Sequence, residues 1–292
     1  MRKLYKSIIA MTLLLAILSL STGCGVRING KEYELFSAGE NDESNVISAV
    51  GKETSDEFVA SVDKENAEKI ILDNNAGNIK VKKSENSQVK LEAEKKVRGA
   101  SQNDKNTVLE NMNIAIERDG TVLRIVAETT NKRDFWDWLK DEYKAFQVTI
   151  NYTISLPEGI KTIDVNTGAG NVDVDDLSAE LKLDTGAGNI DINKVIGLGS
   201  SEISTGAGNI NFDGNIDDIE SFEASTGAGN IKFEVPEDSR MSLKANSGIG
   251  VLSGSFIKKD SNIKLSFDGD INGGGPKVEL SSGVGNIHAN KK

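Results

Sequence analysis

The chain of 292 residues holds one cysteine, one histidine and three prolines, and aromatic residues make up only 5% of it. A lone cysteine, Cys24, rules out a disulfide within one molecule. A lone histidine, His288, leaves no imidazole for the usual nucleophilic triads and no zinc site built from several His or Cys ligands. We read His288 as a solvated side chain in a polar tail. Positive charge is scarce too, with 34 Lys and Arg against 45 Asp and Glu and a net charge of −11. Nucleic-acid binding draws its affinity from basic groups neutralising phosphates, so a chain this acidic without a basic stripe is not expected to bind nucleic acid. Direct attraction to anionic lipid heads or teichoic acids is disfavoured on the same ground.

The longest apolar run, Ile8 to Leu20, is 13 residues and too short to span a bilayer comfortably. Preceded by Arg2, Lys3 and Lys6, it reads as the export signal of residues 1–23. Ser21-Thr22-Gly23-Cys24 follows and looks like the lipobox of bacterial lipoproteins, departing from it at Ser21, where Leu is commoner. The resemblance implies lipid attachment at Cys24, an extracytoplasmic location and a membrane partner reached through acyl chains. Removing the signal takes three positive charges and moves the net charge from −11 to −14.

Glycine is what the chain has in quantity, 29 residues of it, together with many Asn, Asp, Ser and Thr. That composition suits short strands joined by tight turns. Val26 to Phe36 alternates around Asn29-Gly30, a two-residue hairpin signal. Residues 24–66 as a whole read as a tether or spacer, acidic and Ser-rich from residue 37, with the folded domain occupying 67–292.

Thr-Gly-Ala-Gly-Asn recurs identically at 167–171, 185–189, 205–209 and 226–230. Degenerate copies stand at 75–78, 247–250 and 282–286, and the first and last of these lie where caps of a stacked array are expected. Period-two apolar alternation flanks each copy, as with Ile163 and Val165 before and Val172 and Val174 after. We therefore expect an all-β fold, a parallel β-solenoid or β-helix of about five to six coils with glycine corners. Gly168, Gly170 and their counterparts would form the corners, and Asn171, Asn189, Asn209 and Asn230 would ladder between coils. An antiparallel strand excursion is expected over about 85–158, with a hairpin at Asp119-Gly120 and a short helix near 133–146.

With the leader, the spacer, Pro157-Glu158-Gly159 and the Gly-x-Gly-Asn corners in view, the chain resembles the putative-adhesin domain family of β-strand-repeat envelope proteins, widespread in Gram-positive bacteria. The likeness covers about residues 67–292. It implies a solenoid-like β fold, a cell-surface setting and, for some relatives, an association with envelope stress. It supplies no catalytic residues.

Three features carry candidate chemistry. Asp173, Asp175 and Asp176, and separately Asp217, Asp218 and Glu220, are acidic clusters that read first as a solvated face. Paired carboxylates would also suit a β-helix enzyme acting on polysaccharide, the alternative to a non-enzymatic binding protein. No cofactor is expected; such a face could hold Ca2+ through its oxygen ligands, at specific sites or by diffuse bridging to anionic wall polymers, although a spacing of about twenty differs from that of the nonapeptide calcium arrays. Five of the fifteen aromatics, Phe135, Trp136, Trp138, Tyr143 and Phe146, fall within twelve residues. They form either a contact surface for an envelope protein, a wall glycan or the membrane interface, or an amphipathic plug sealing one end of the core. Residues two apart on a helix point about 200° apart, so at least one of Trp136 and Trp138 is expected to be exposed. Finally, metabolic fatty-acid labelling of the chain is expected to disappear in Cys24→Ala; unchanged labelling would remove the anchor.

Overall fold

The computed structural model describes residues 26–28, 31–33, 53–99, 101–143, 147–257 and 265–292. The expected export signal of residues 1–23, the expected lipid-attachment residue Cys24, and Phe146 lie outside these residues. β1 (Val26–Ile28) and β2 (Lys31–Tyr33) pair antiparallel, as expected of strands flanking an Asn-Gly sequence. This strand pair belongs to a unit of residues 1–49, distinct from residues 50–292.

Among the described residues the larger unit is all-β with two short helices, and its strands form one 18-stranded mixed sheet that nearly closes on itself. It begins with β3 (Thr54–Asp63), β4 (Lys69–Ala76), β5 (Ile79–Lys83) and β6 (Gln88–Arg98). Next come α1 (Gln102–Glu110), β7 (Asn113–Asp119), β8 (Val122–Glu128), α2 (Phe135–Glu142) and β9 (Gln147–Leu156). The repeats supply β10 (Thr162–Ala169), β11 (Val172–Asp175), β12 (Ser178–Ala187), β13 (Ile190–Ala207), β14 (Ile210–Ala228) and β15 (Ile231–Val235). The chain ends with β16 (Met241–Ile249), β17 (Leu252–Ser253), β18 (Ser266–Ile271), β19 (Lys277–Val284) and β20 (Ile287–Lys291).

Two parallel ladders run through the sheet. One stacks β8, β4, β10, β12, the second half of β13, the second half of β14, β19 and β16. The other stacks β9, β5, β11, the first half of β13, the first half of β14, β15, β20 and β17. Each glycine motif is the corner at which a rung passes from the first ladder to the second. Side chains alternate along every strand, and the inward set meets across the interior. Phe212 and Phe233 from the second ladder pack on Phe222 of the first with ring centroids 4.7 and 5.4 Å from it.

The corner motif has a physical reason for each of its polar positions. Backbone bonds continue through it, as in Gly188 N–H to Ala207 C=O (3.0 Å) and Ile190 N–H to Asn209 C=O (2.9 Å). The bend turns the intervening Gly C=O and Asn N–H away from a backbone partner, and both must be satisfied. Thr205 Oγ1 donates to Gly188 O on the rung below (2.9 Å), and Asn209 N–H donates to Asn189 Oδ1 (2.8 Å). The asparagine chain runs from Asn151 through Asn78, Asn171, Asn189, Asn209, Asn230 and Asn286 to the N–H of Val251. Side-chain carbonyl to backbone N–H is thus its main link, with amide-to-amide bonds added at Asn209 and Asn230. The glycines are needed because rungs approach so closely: a Cβ at Gly208 would lie 1.9 Å from Gly188 O.

Four expectations change. The copy at 282–286 is not a cap, because β19 and β20 lie between the rung of 226–230 and the rung of 247–250. The copy at 75–78 is covered by β8 and β9. The excursion is only partly antiparallel: β6 and β7 are, but β8 and β9 join the parallel ladders. The expected spacer to residue 66 contains β3, paired along its length with β6 and tied by Asp56 to buried Lys95 at 2.5 Å. α1, absent from the sequence reading, is capped by Ser101 and buries Val108.

Gly208→Ala is expected to cost more than about 4 kcal/mol, since backbone must move to admit the methyl. Asn209→Ala, which removes the acceptor of Asn230 N–H and the amide bonds to Asn189 and Asn230, should cost about 1 to 3 kcal/mol. Urea unfolding of the two variants checks the order.

Candidate functional site

The outward residues of both ladders stand in rows one strand apart, because parallel register puts equivalent positions side by side. On the second ladder Lys80, Asp173, Asp191, Asn211, Lys232 and His288 form one row. His288 is therefore a strand residue rather than part of a loose tail, exposed on β20 with Nδ1 2.5 Å from Ser253 Oγ. The neighbouring row holds Lys82, Asp175, Asn193, Asp213, Glu234 and Asn290.

The first acidic cluster divides on this surface. Partial burial, reinforced by Asp191 one rung away, holds the Asp173 carboxyl above its ordinary value. Burial pushes Asp175 the same way, but bonds from Lys80 (2.9 Å) and Asn193 (3.1 Å) outweigh it and leave that carboxyl below its ordinary value. Asp176 turns aside at a positive φ of 54°. The second cluster lies in the middle of β14, where Asp217 accepts from Asn215 Nδ2 (2.9 Å) and Glu220 from Ser200 Oγ (3.3 Å). Among the described residues no group of three or more His, Cys, Asp or Glu is placed to hold a metal ion.

Asp176 instead faces a cleft of about 370 Å3 on the side away from the glycine corners. Its walls include Lys83, Ile160, Leu177, Lys194 and Ile196, and the Pro157-Glu158-Gly159 turn closes one side, with Glu158 3.0 Å from Lys83 Nζ. The sequence reading did not find this cleft. Its only trace there is the Pro-Glu-Gly turn, since the apolar wall residues come from separate rungs.

The aromatic group is brought together by α2. Asp134 caps the helix by accepting from Asp137 N–H (2.8 Å), and Tyr143 N–H closes it on Leu139 O (2.8 Å). Phe135 and Leu139 are buried, and the ring of Phe135 lies 5.4 Å from Trp136 and 5.8 Å from Trp138, which lies 5.2 Å from Tyr143. The expectation that one tryptophan is exposed fails: both are half-buried and packed against the core. A large indole can lie along an apolar surface, so two residues on different sides of a short helix can both be partly covered. Among the described residues no helix is long and apolar enough to cross a membrane.

The model of the Toastrack DUF4097 family matches residues 29–290. The chain belongs to this family. Solved structures similar to this Toastrack chain include a putative cell adhesion protein from Clostridium sporogenes, 17% identical, covering 82% of this chain and all (100%) of that one with a TM-score of 0.44. A putative adhesin from Bacteroides fragilis is 14% identical over 81% of this chain and 97% of its own, TM-score 0.39. A putative lipid binding protein from Parabacteroides distasonis is 13% identical over 81% and 97%, TM-score 0.37. No functionally curated protein matches the chain.

Because the folded state binds the Asp173 proton more tightly than the unfolded chain does, ionisation of this group costs stability at neutral pH, and the cost is relieved as pH falls through its raised value. Asp173→Asn, which places in this row the residue already present at Asn211, should raise the melting temperature at pH 7 by about 1 to 2 °C. The gain should vanish below about pH 4. Thermal melts across pH check both parts.

Proposed function

We propose that this Toastrack chain is a non-enzymatic binding or scaffolding protein of the bacterial cell envelope, held on the outer side of the membrane by lipid at Cys24. Its body is a parallel β-solenoid with glycine corners, and its partner is a wall glycan or another envelope protein, in adhesion or in sensing envelope stress. The observation that carries this reading is the register of the outward rows. Asn166, Asp184, Ser204, Ser225, Ser281 and Asn246 stand side by side on consecutive strands of the first ladder. Such a row offers small hydrogen-bonding groups about every 4.8 Å. An extended hydroxyl-rich polymer meets many of these groups at once, and weak contacts sum through multivalency. The net charge of −14 once the signal is removed favours a neutral glycan over an anionic one. The half-buried aromatics on α2 act as the seal of the first rungs rather than as the contact.

The full-length protein should be retained on purified cell-wall glycan. Asp184→Ala combined with Ser204→Ala should weaken retention about tenfold, and Trp138→Ala should leave it unchanged once the folded fraction is matched. Retention indifferent to the row variant, or lost with Trp138→Ala in folded protein, would move the site away from the rows.

A further inference from the structure

The order of rungs in space departs from their order in the chain at one place. β16 and β17 come earlier in sequence than β19 and β20, yet β19 and β20 occupy the position between them and the rung of β14 and β15. The interior slot is therefore filled by the last segment of the chain, residues 277–291. Asn286 completes both sides of it: its N–H donates to Asn230 Oδ1 (2.8 Å) and its Oδ1 accepts from Val251 N–H (2.9 Å). Ser282 Oγ donates to Gly229 O (2.9 Å) and Ser247 Oγ to Gly285 O (2.8 Å). Val251 stands where the other rungs carry Asn, so the rung beyond the slot offers no side-chain acceptor at that corner for another.

The segment reaches the slot by a short strap. β18 pairs antiparallel on the outer side of β16, while β19 pairs parallel on its inner side, so residues 272–276 must cross the start of β16. Three consecutive residues of this strap have positive φ: Asn272 at 52°, Gly273 at 88° and Gly274 at 79°. The strap is pinned by Asn272 Nδ2 on Glu237 O and Ser239 O (both 2.9 Å) and by Arg240 Nε on Gly274 O (3.2 Å). A Cβ at Gly275 would lie 2.7 Å from Arg240 O. Short, tight connections are where identical elements exchange between copies, since an opened connection can span to a neighbour and every contact of the exchanged element is re-made. Extended, five residues span roughly 17 Å.

We propose that residues 277–291 exchange between two copies of this chain, the β19–β20 rung of each filling the slot between β15 and β17 of the other, with residues 272–276 as the hinge. The partner is a second copy because the slot asks for a Ser-Gly-x-Gly-Asn corner flanked by apolar alternation, and this segment carries all of it. The swapped dimer keeps every rung of both sheets.

The test uses full-length chains carrying Cys24→Ser, so that introduced thiols are the only ones. Ser225 and Ser281 are register partners on β14 and β19, at a separation that neighbouring strands and a disulfide share, about 5 Å. One copy carries Ser225→Cys and the other Ser281→Cys; they are coexpressed, oxidised and resolved without reductant. A covalent heterodimer is expected. Closure of the 225–281 bridge within a single chain that carries both substitutions, with no heterodimer from the mixture, would overturn the exchange. So would an equal yield when Ser87→Cys, on the far side of the molecule's repeat array, replaces Ser225→Cys, because that yield reports collision alone. Gly273→Ala with Gly274→Ala strains the closed strap further and should raise the heterodimer yield about fivefold; a yield unchanged or lowered in folded protein would remove the strap as the hinge.

Discussion

The constraint on which the structure rests is the bend in the backbone at each glycine corner. A parallel ladder leaves no polar group of its strands unmatched, but a strand that turns through a corner leaves one carbonyl and one N–H out of line. In this chain hydroxyl side chains of Thr185, Thr205, Thr226, Ser247 and Ser282 and the Asn side chains of adjacent rungs take up both, while the Thr167 hydroxyl of the first copy is buried without a partner. Close approach at the same point admits no side chain at two positions. Thr-Gly-Ala-Gly-Asn is thus a single solution to one geometric problem, repeated because the problem repeats, and the variation between copies follows from it. Ser replaces Thr at 247 and 282 because a hydroxyl is all the site needs.

This interlock shapes what the surface can do. Each rung is held in register with the next by backbone and side-chain bonds at the corner, so outward residues on distant parts of the sequence are carried into line. The rows mix carboxylates, amides and lysines, and several neighbours neutralise one another: Lys80 with Asp175, Lys69 with Asp164, Lys244 with Glu279. The surface is patterned more finely than its net charge suggests. The irregular parts of the molecule gather where the repeat is interrupted, with α2 occupying the place of a corner and the cleft opening beside the turn that leads back into the repeats.

Much of this was legible in the residues. The repeat, the strand pairs on either side of it, the structural use of asparagine, the hairpin at Asp119-Gly120 and a short helix near 133–146 all follow from local pattern, and local pattern decides them. The rung order does not, because parallel neighbours with equivalent corners are interchangeable as far as alternation and turn chemistry go. One cue was present: residues 247–251 end in Val251 where 282–286 end in Asn286, and Val251 has no side-chain acceptor with which to continue the asparagine chain. β3 was hidden by acidic, Ser-rich composition that reads as a spacer, although Phe58, Ala60 and Val62 alternate within it. α1 was hidden by its polarity, since it lays little more than Val108 and the stem of Lys105 against the core. The cleft escaped because its wall is assembled from rungs that are far apart in sequence.

The placement of the C-terminal strands has a bearing on biosynthesis. A protein is made from its amino end, and here an interior layer of the sheet is supplied by residues 277–291, which follow both of its neighbouring layers in sequence. Until they emerge, the layer beyond them has nothing of its own to rest against except a neighbour in the wrong order. A product cut short before residue 277 therefore lacks an internal course of the sheet rather than an outer one.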